Sequence, residues 1–377
     1  MTVLIAVGTV AIHSAGNARA EAVFHGMWMN NLVTAAFGLV VYMMLAFTDY
    51  RKLVSWTAWP YYVSALVMLV AVLIFGSKVY GGRRWLWFFQ PSEISKLAVI
   101  AILAEVFGSR GGDGGILDWR RTFKGFAFAG LLVGVPAALI LAEPDLGTTL
   151  ALVPAAVVML FTADVWRRGL VVSLGAVGVA ALMVLGAVYE AEKPGVPPER
   201  RERILKFVPL KEHQVSRVKV FLFPESDLLG AGYNLRQAKI SIGSGGFSGK
   251  GLGKGETNHL KYLPQAISMN DFIFCVWAEE TGFVGSLALL GLFALLLLPG
   301  CRIAAVAADE RGRLIALGVT TLVFAHVYIN IAMSIGLVPI TGLPLPFISS
   351  GRTFLVTVMA GLGLVQSVSI HREERTR

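Results

Sequence analysis

Apolar runs close to the length of a bilayer crossing recur along almost the whole chain, with charges confined to the gaps. Nine such runs lie at 27–48, 57–76, 92–108, 125–142, 147–163, 169–189, 272–299, 313–338 and 353–370. A helix needs about 20 apolar residues to cross the hydrocarbon core. Backbone groups inside lipid must be satisfied within the spanning structure, which leaves helices or closed barrels. Runs this long fit helices, since barrel strands take only about 9–11 residues. A tenth run, Thr2 to Ala15, is short, as expected if the true start codon lies upstream of Met1. The expectation is an all-α polytopic integral membrane protein, a bundle of about ten transmembrane helices forming one domain across 1–377. Composition agrees: 15% of residues are charged, against about 25% in soluble domains.

The charges also orient the bundle. With the N-terminus inside, the inner gaps hold fourteen basic residues: Arg51, Lys52, Arg110, Arg120, Arg121, Lys124, Arg167, Arg168, Arg302, Arg311, Arg313, Arg372, Arg375 and Arg377. The short outer gaps hold five: Arg19, Lys78, Arg83, Arg84 and Arg352. By the positive-inside rule both termini are expected in the cytoplasm. The net charge of +9 is spread between apolar runs, so a nucleic-acid partner is not expected. Cys275 and Cys301 would lie about 39 Å apart on one helix, too far to pair. The six histidines are scattered without metal-ligand spacing. Met1 to His13 lacks the basic start and small-residue site of a cleavable signal peptide.

This orientation places the one long polar segment, about 190–271, outside. Pro194, Pro197 and Pro198 stop the preceding helix, and Glu199 to Phe223 reads as an amphipathic stretch at the outer face or as a wall of a groove for an anionic headgroup. Tyr233 to Ile242 reads as a short helix stopped by Gly243. Seven of the thirteen residues from Gly243 to Gly255 are glycine, interleaved with Lys250 and Lys254. The spacing fails the phosphate-binding P-loop pattern; a flexible loop or a backbone cradle for an anion both remain open.

Ionisable residues within spans cost about 2.5–3.5 kcal/mol each on insertion scales, so each requires a reason. Glu93 and Lys96 share a helical face, either as a self-neutralising pair or facing an outer polar cavity. Asp145 sits in the turn Glu143-Pro144-Asp145-Leu146-Gly147-Thr148, where it caps the next helix or joins a site. Asp271 opens the eighth span, with Glu279 and Glu280 about 12–14 Å further along. Thr341 to Arg352 adds a rigid outer turn and one cation. Glu93, Lys96, Asp145, Asp271 and Arg352 all fall at outer ends of spans, so a bundle can gather them around one mixed-charge site.

These stretches resemble the SEDS family (shape, elongation, division and sporulation). The resemblance rests on Gln90-Pro91-Ser92-Glu93 with Lys96, Glu143 to Thr148, Gly243-Ser244-Gly245-Gly246 with Gly249-Lys250-Gly251, Asp271 to Phe274 with Glu279-Glu280, and Pro344 to Phe347 with Ser349. They run in family order over nearly the whole chain. Pro224 to Asp227, Gly230 to Tyr233 and Gln237 to Ile240 look more like the elongation branch than the division or sporulation branches. The resemblance implies a peptidoglycan glycosyltransferase of the bacterial inner (cytoplasmic) membrane. Its substrate would be lipid II, the undecaprenyl-pyrophosphate disaccharide-pentapeptide, and its partner a class B penicillin-binding protein transpeptidase. The family's essential aspartate falls on Asp271, and its glutamate and lysine on Glu93 and Lys96. The chain departs from the family pattern in four places. It is about four residues shorter between Trp85 and Gln90, has Glu143 for the usual Gln, and has an altered Pro264–Asp271 approach and an altered Ser349–Thr353 run.

Transfer from an α-linked sugar pyrophosphate to give a β product is inversion, which calls for one general base, expected at Asp271. Expected substrate-binding residues are Glu93, Lys96, Asp145, Arg217, Gln237, Lys250, Ser349 and Arg352. Among these, Lys96, Arg217, Lys250 and Arg352 are candidates to meet the leaving pyrophosphate. No cofactor is required by this scheme; a divalent cation, Mg²⁺ or Mn²⁺, is allowed although no dedicated cage is visible. The rival reading is a lipid II flippase or transporter, which needs polar groups along a path to the inner side.

Overall fold

A computed structural model describes residues 1–17, 26–79, 82–87, 89–108, 119–193, 195–208, 212–227, 229–256 and 262–372. Arg19, Arg110, Arg375 and Arg377 of the orientation argument, and Pro194, lie outside the described residues. The chain is almost entirely helical. Helices α1 (Thr2–Asn17), α2 (Met27–Phe47) and α3 (Tyr50–Phe75) lead into a small antiparallel hairpin, β1 (Ser77–Val79) and β2 (Gly82–Trp85). Helices α4 (Pro91–Gly108), α5 (Phe123–Ala142), α6 (Leu146–Thr162) and α7 (Arg167–Ala191) follow. The outer segment contributes α8 (Pro198–Lys206), α9 (Glu212–Leu222), α10 (Ala231–Ser244) and the short α11 (Gln265–Met269). Helices α12 (Ile273–Ala305), α13 (Glu310–Ile335) and α14 (Arg352–Ile370) complete the bundle.

Ten helices, α1–α7 and α12–α14, therefore lie on the ten apolar runs. Among the described residues, seven are long and apolar enough to cross a membrane by length and composition. The other three are α1 and α6, at 16 and 17 residues, and α4, which carries Glu93, Lys96 and Glu105. Several ends are set by side-chain caps. Asp49 accepts from the Arg51 amide at 2.9 Å, starting α3 seven residues before its apolar run. Asp309 caps α13 through the Gly312 amide at 2.7 Å, a contact that satisfies a donor otherwise left open in the first turn.

Helices α4 and α13 form the centre. Most of α4 is buried, and α13 packs on α4, α6, α12 and α14. At one end, Arg51 pairs with Asp309 at 3.1 Å and Arg311 with Glu105 at 2.9 Å, which accounts for Glu105 within an apolar helix.

The outer segment is more ordered than its composition suggests. The Glu199–Phe223 stretch is two helices, and Arg201 and Lys219 both bind Glu192 at the end of α7, at 2.6 and 2.9 Å. Helix α10 runs through Gly243 to Ser244 rather than stopping before it. The glycine-rich run is not a free loop, and the anions its amides meet are carboxylates of the chain itself: the Glu256 amide donates to Glu279 Oε1 at 2.9 Å, and the Gly253 and Gly255 amides donate to the Glu280 carboxylate. Helix α12 breaks at Gly282 (φ 69°, ψ −162°), and the run docks against the break. There the Lys250 and Gly251 amides donate to the Glu279 and Glu280 carbonyls, at 3.0 and 2.9 Å. In return the Phe283 and Val284 amides donate to the Gly246 and Phe247 carbonyls, at 2.9 and 3.2 Å. Non-helical backbone at a bundle is tolerated when its polar groups are paired in this way. Gly249 (φ 81°) lies against the Glu280 carbonyl, where a Cβ has no room. Gly249→Ala is expected to cost about 1–3 kcal/mol, read as a lower thermal midpoint of the purified protein.

Candidate active site

The site forms where the ends of α4, α5, α6, α11, α12, α13 and α14 at one side of the bundle converge with β2, α9 and the loop 341–351. Helix α11 closes on Asp271, whose amide donates to the Ile267 carbonyl at 3.0 Å. The Asp271 carbonyl accepts from Asn330 Nδ2 at 2.9 Å, and the same Nδ2 donates to the Leu343 carbonyl at 2.7 Å. Asn330, on α13, thus ties the mouth of α12 to the loop 341–351. The Asp271 carboxylate faces Gly342, at 3.5 Å from the position a Cβ would take there.

Two cations address this carboxylate. Arg217 on α9 donates to the Thr341 carbonyl at 3.2 Å, and Arg84 on β2 donates to the Glu143 carbonyl at 3.4 Å and to that of Pro144. Burial pushes the Asp271 carboxyl up to about 6; Arg217 and Arg84 pull it down, and Asp145 pushes it up. Arg217 and Arg84, rather than Lys96, are the cations that hold the Asp271 carboxyl down.

Asp145 does cap α6, accepting from the Thr148 amide at 3.2 Å and its hydroxyl at 2.9 Å. It also accepts from Gln90 Nε2 at 3.0 Å and Ser92 Oγ at 3.5 Å, so both alternatives for Asp145 hold together. Glu143 is fully buried, and none of the described residues donates to either carboxylate oxygen. Burial, with Asp145 nearby, pushes its carboxyl up to about 8 against the pull of Arg84. At neutral pH it is mostly protonated and so stands in for the neutral Gln expected there. Glu143→Gln is expected to leave activity and thermal midpoint unchanged, and a fall in either would show that its proton is used.

Behind this layer lies a buried cluster. Lys96 Nζ is 2.7 Å from Glu93 Oε2 and 2.8 Å from His326 Nε2. An ammonium only donates, so Nε2 accepts and the ring proton belongs on Nδ1, 3.4 Å from the Pro344 carbonyl. Both Glu93 and Lys96 are buried, which places them in the floor of the site rather than in an open cavity. The ring of Phe354 covers them, 5.2 Å from Lys96 Nζ and 4.4 Å from the His326 ring.

The remaining expected residues divide. Ser349 is a clamp: its hydroxyl donates to the Asn270 carbonyl at 2.6 Å and accepts from the Leu345 amide at 2.8 Å. Ser350 adds a bond to Asn270 Oδ1 at 2.6 Å, so two stretches that depart from the family pattern are bonded to each other. Arg352 is exposed at the start of α14, and Gln237 is half-buried on α10. Lys250 is drawn away from Asp271. It pairs with Glu279 at 2.8 Å and Glu256 at 3.4 Å, so its charge is spent on the docked loop. Residues not expected from the sequence are Arg84, Gln90, His326 and Asn330. The last two had a signal, since His326, Asn330 and Ser334 recur every fourth residue along an apolar helix.

Among the described residues, no three His, Cys, Asp or Glu side chains gather to hold a metal ion. Asp145 is already bonded by Thr148, Gln90 and Ser92, and Asp271 by the field of two arginines.

Comparison with known proteins agrees with the fold. The model of the cell cycle protein family that takes in FtsW, RodA and SpoVE matches residues 1–374. The peptidoglycan glycosyltransferase MrdB of Escherichia coli (strain K12) is 37% identical over 354 residues, covering 92% of this chain and 87% of its own. A solved peptidoglycan synthase complex, described as coordinating polymerization and crosslinking, contains a chain similar at TM-score 0.75 and 29% identity, over 99% of this chain and 96% of that one. The crystal structure of the rod shape determining protein RodA of Thermus thermophilus is similar at TM-score 0.65 and 26% identity, covering 99% and 95%. With the family model running over almost its entire length and the same helical bundle in its structural relatives, the chain belongs to the FtsW/RodA/SpoVE family of polytopic membrane proteins.

Proposed function

We propose that the chain is a peptidoglycan glycosyltransferase of the elongation type, polymerising lipid II at the outer face of the bacterial inner membrane. The observation that carries this reading is Asp271, a carboxylate at a helix mouth flanked by Arg217 and Arg84. Its neighbours named as peptidoglycan glycosyltransferases MrdB and RodA support the activity. Asp271 takes the proton of the acceptor sugar 4-hydroxyl as that oxygen attacks the anomeric carbon of the donor from the face opposite the pyrophosphate. The C–O bond to pyrophosphate breaks, and Arg217 and Arg84 meet the negative charge that develops there. The buried Glu93–Lys96–His326 cluster fixes the loop 341–351 from below and is a positioning element. A class B penicillin-binding protein that crosslinks the product is the proposed partner, supported by the likeness to a chain of a peptidoglycan synthase complex.

A base must be ionised to act. Since the Asp271 carboxyl lies at about 6, polymerisation is expected to fall about tenfold per pH unit well below 6 and to level off above it. Arg217→Gln removes a cation that holds the carboxyl down, so the midpoint is expected to move to higher pH. A rate flat from pH 5 to 8 in purified protein with purified lipid II would remove Asp271 from the base role.

The transport reading loses its main requirement in α4. From Leu97 to Ala104 that central helix carries only apolar side chains, between the Glu93–Lys96 pair and Glu105 at the other end. No polar path along α4 links the two faces.

A further inference from the structure

At the end of the bundle opposite Asp271, the turn between α6 and α7 meets the start of α5 around an open pocket of about 350 Å³. It is lined by Arg121, Asp164, Trp166, Arg167 and Arg168. Arg121 and Arg167 share the single carboxylate of Asp164, at 2.6 and 2.8 Å, so the lining keeps a net charge of +2 (three Arg less one Asp). Both arginines are more than half exposed, and Arg168 is exposed beside them. The aromatic side chains at the same level are equally specific in placement. Trp166 packs edge-on against Phe123 and Phe126, at 5.8 and 5.5 Å between ring centres, and Gly169 leaves the room its ring occupies. Phe123 and Phe161 are exposed, with Arg167 lying over Phe161 at 5.2 Å.

The pocket sits where three apolar helices leave the membrane: α5 starts at Phe123, α6 ends at Thr162 and α7 starts at Arg167. The arginines and Trp166 therefore line one cavity, and the exposed rings of Phe123 and Phe161 stand beside it. A soluble anion has no use for the rings, and a neutral lipid has no use for the surplus charge. We propose that this pocket binds the phosphate headgroup of an anionic phospholipid, with the arginines on the phosphate and the aromatic belt against the glycerol and upper acyl chains.

The test is lipid retention by the purified full-length protein, measured by native mass spectrometry after titration with phosphatidylglycerol or phosphatidylcholine. Wild-type protein is expected to retain one phosphatidylglycerol in preference to phosphatidylcholine. Arg168→Gln is expected to weaken this about fivefold, and Arg167→Gln/Arg168→Gln about 30-fold, at low salt. Asp164→Asn is the decisive variant. It frees two arginines and is expected to bind phosphatidylglycerol more tightly, whereas a purely structural role for Asp164 predicts a lower thermal midpoint with no gain in lipid. A parallel titration with inorganic phosphate separates the two sources of the anion. Millimolar phosphate that fails to displace the lipid supports headgroup-plus-chain recognition. Displacement as efficient as by lipid would reassign the pocket to soluble phosphate and overturn the proposal. Equal retention of the two lipids by wild type, or unchanged retention by the double variant, would also overturn it.

Discussion

Asp271→Asn is expected to abolish glycan polymer while the protein stays folded. The expected loss is about 10²–10⁴-fold, the usual worth of a general base, and it is read on gels of labelled product from purified lipid II. Folding survives because the structural bonds of residue 271 belong to its main chain, one to Ile267 and one from Asn330, and asparagine keeps both. Among the described residues the carboxylate itself makes no cap and no ion pair within hydrogen-bond reach; it lies in the field of Arg217, Arg84 and Asp145. An unchanged thermal midpoint with no product therefore separates chemistry from architecture. Product at the wild-type rate would sink the base assignment.

Lys96→Met has the largest expected effect on stability. Removing one member of a buried pair leaves an uncompensated charge, at a cost of about 3–5 kcal/mol. Glu93 stays buried in α4, with Lys96 as its ion partner at 2.7 Å, and His326 Nε2 loses its donor as well. The double variant Glu93→Gln/Lys96→Met removes both charges, and most of the lost stability is expected to return. Thermal unfolding in detergent of the wild type, both single variants and the double variant completes the cycle. A single variant as stable as wild type but inactive would move Lys96 from the floor of the site to the substrate.

The bundle was legible because lipid leaves few ways to satisfy a backbone, so run length alone located ten helices, most ends to within a few residues; α3 starts seven residues before its run and α12 ends six after. The start of α3 escaped because Arg51 and Lys52 look like a break, whereas the cap at Asp49 begins the helix ahead of them. Asp271, Glu93, Lys96 and Asp145 stand out in the sequence because charges in or beside apolar runs need reasons. Arg84 was counted only for orientation, since nothing local in the hairpin says that its side chain crosses to the turn at Pro144. Lys250 was misplaced for the converse reason: a lysine among glycines suggests an anion site, and only the break at Gly282 reveals the carboxylate that claims it. The bond between Asn270 and Ser350 spans 80 residues, and no spacing rule connects them.

The docking of the glycine run on α12 has a consequence for how this surface varies. Four bonds across the break are made by main chain to main chain, and substitution does not delete a peptide group. Phe247 and Leu252 meanwhile project outward, 73% and 56% exposed. Once glycine holds the tight positions, an outward side chain such as Leu252 is free to drift without loosening the joint, whereas Lys250 and Phe247 are tied to Glu279 and Phe283. The run therefore offers a firmly seated platform on which an outward side chain can change while the backbone beneath it stays in place.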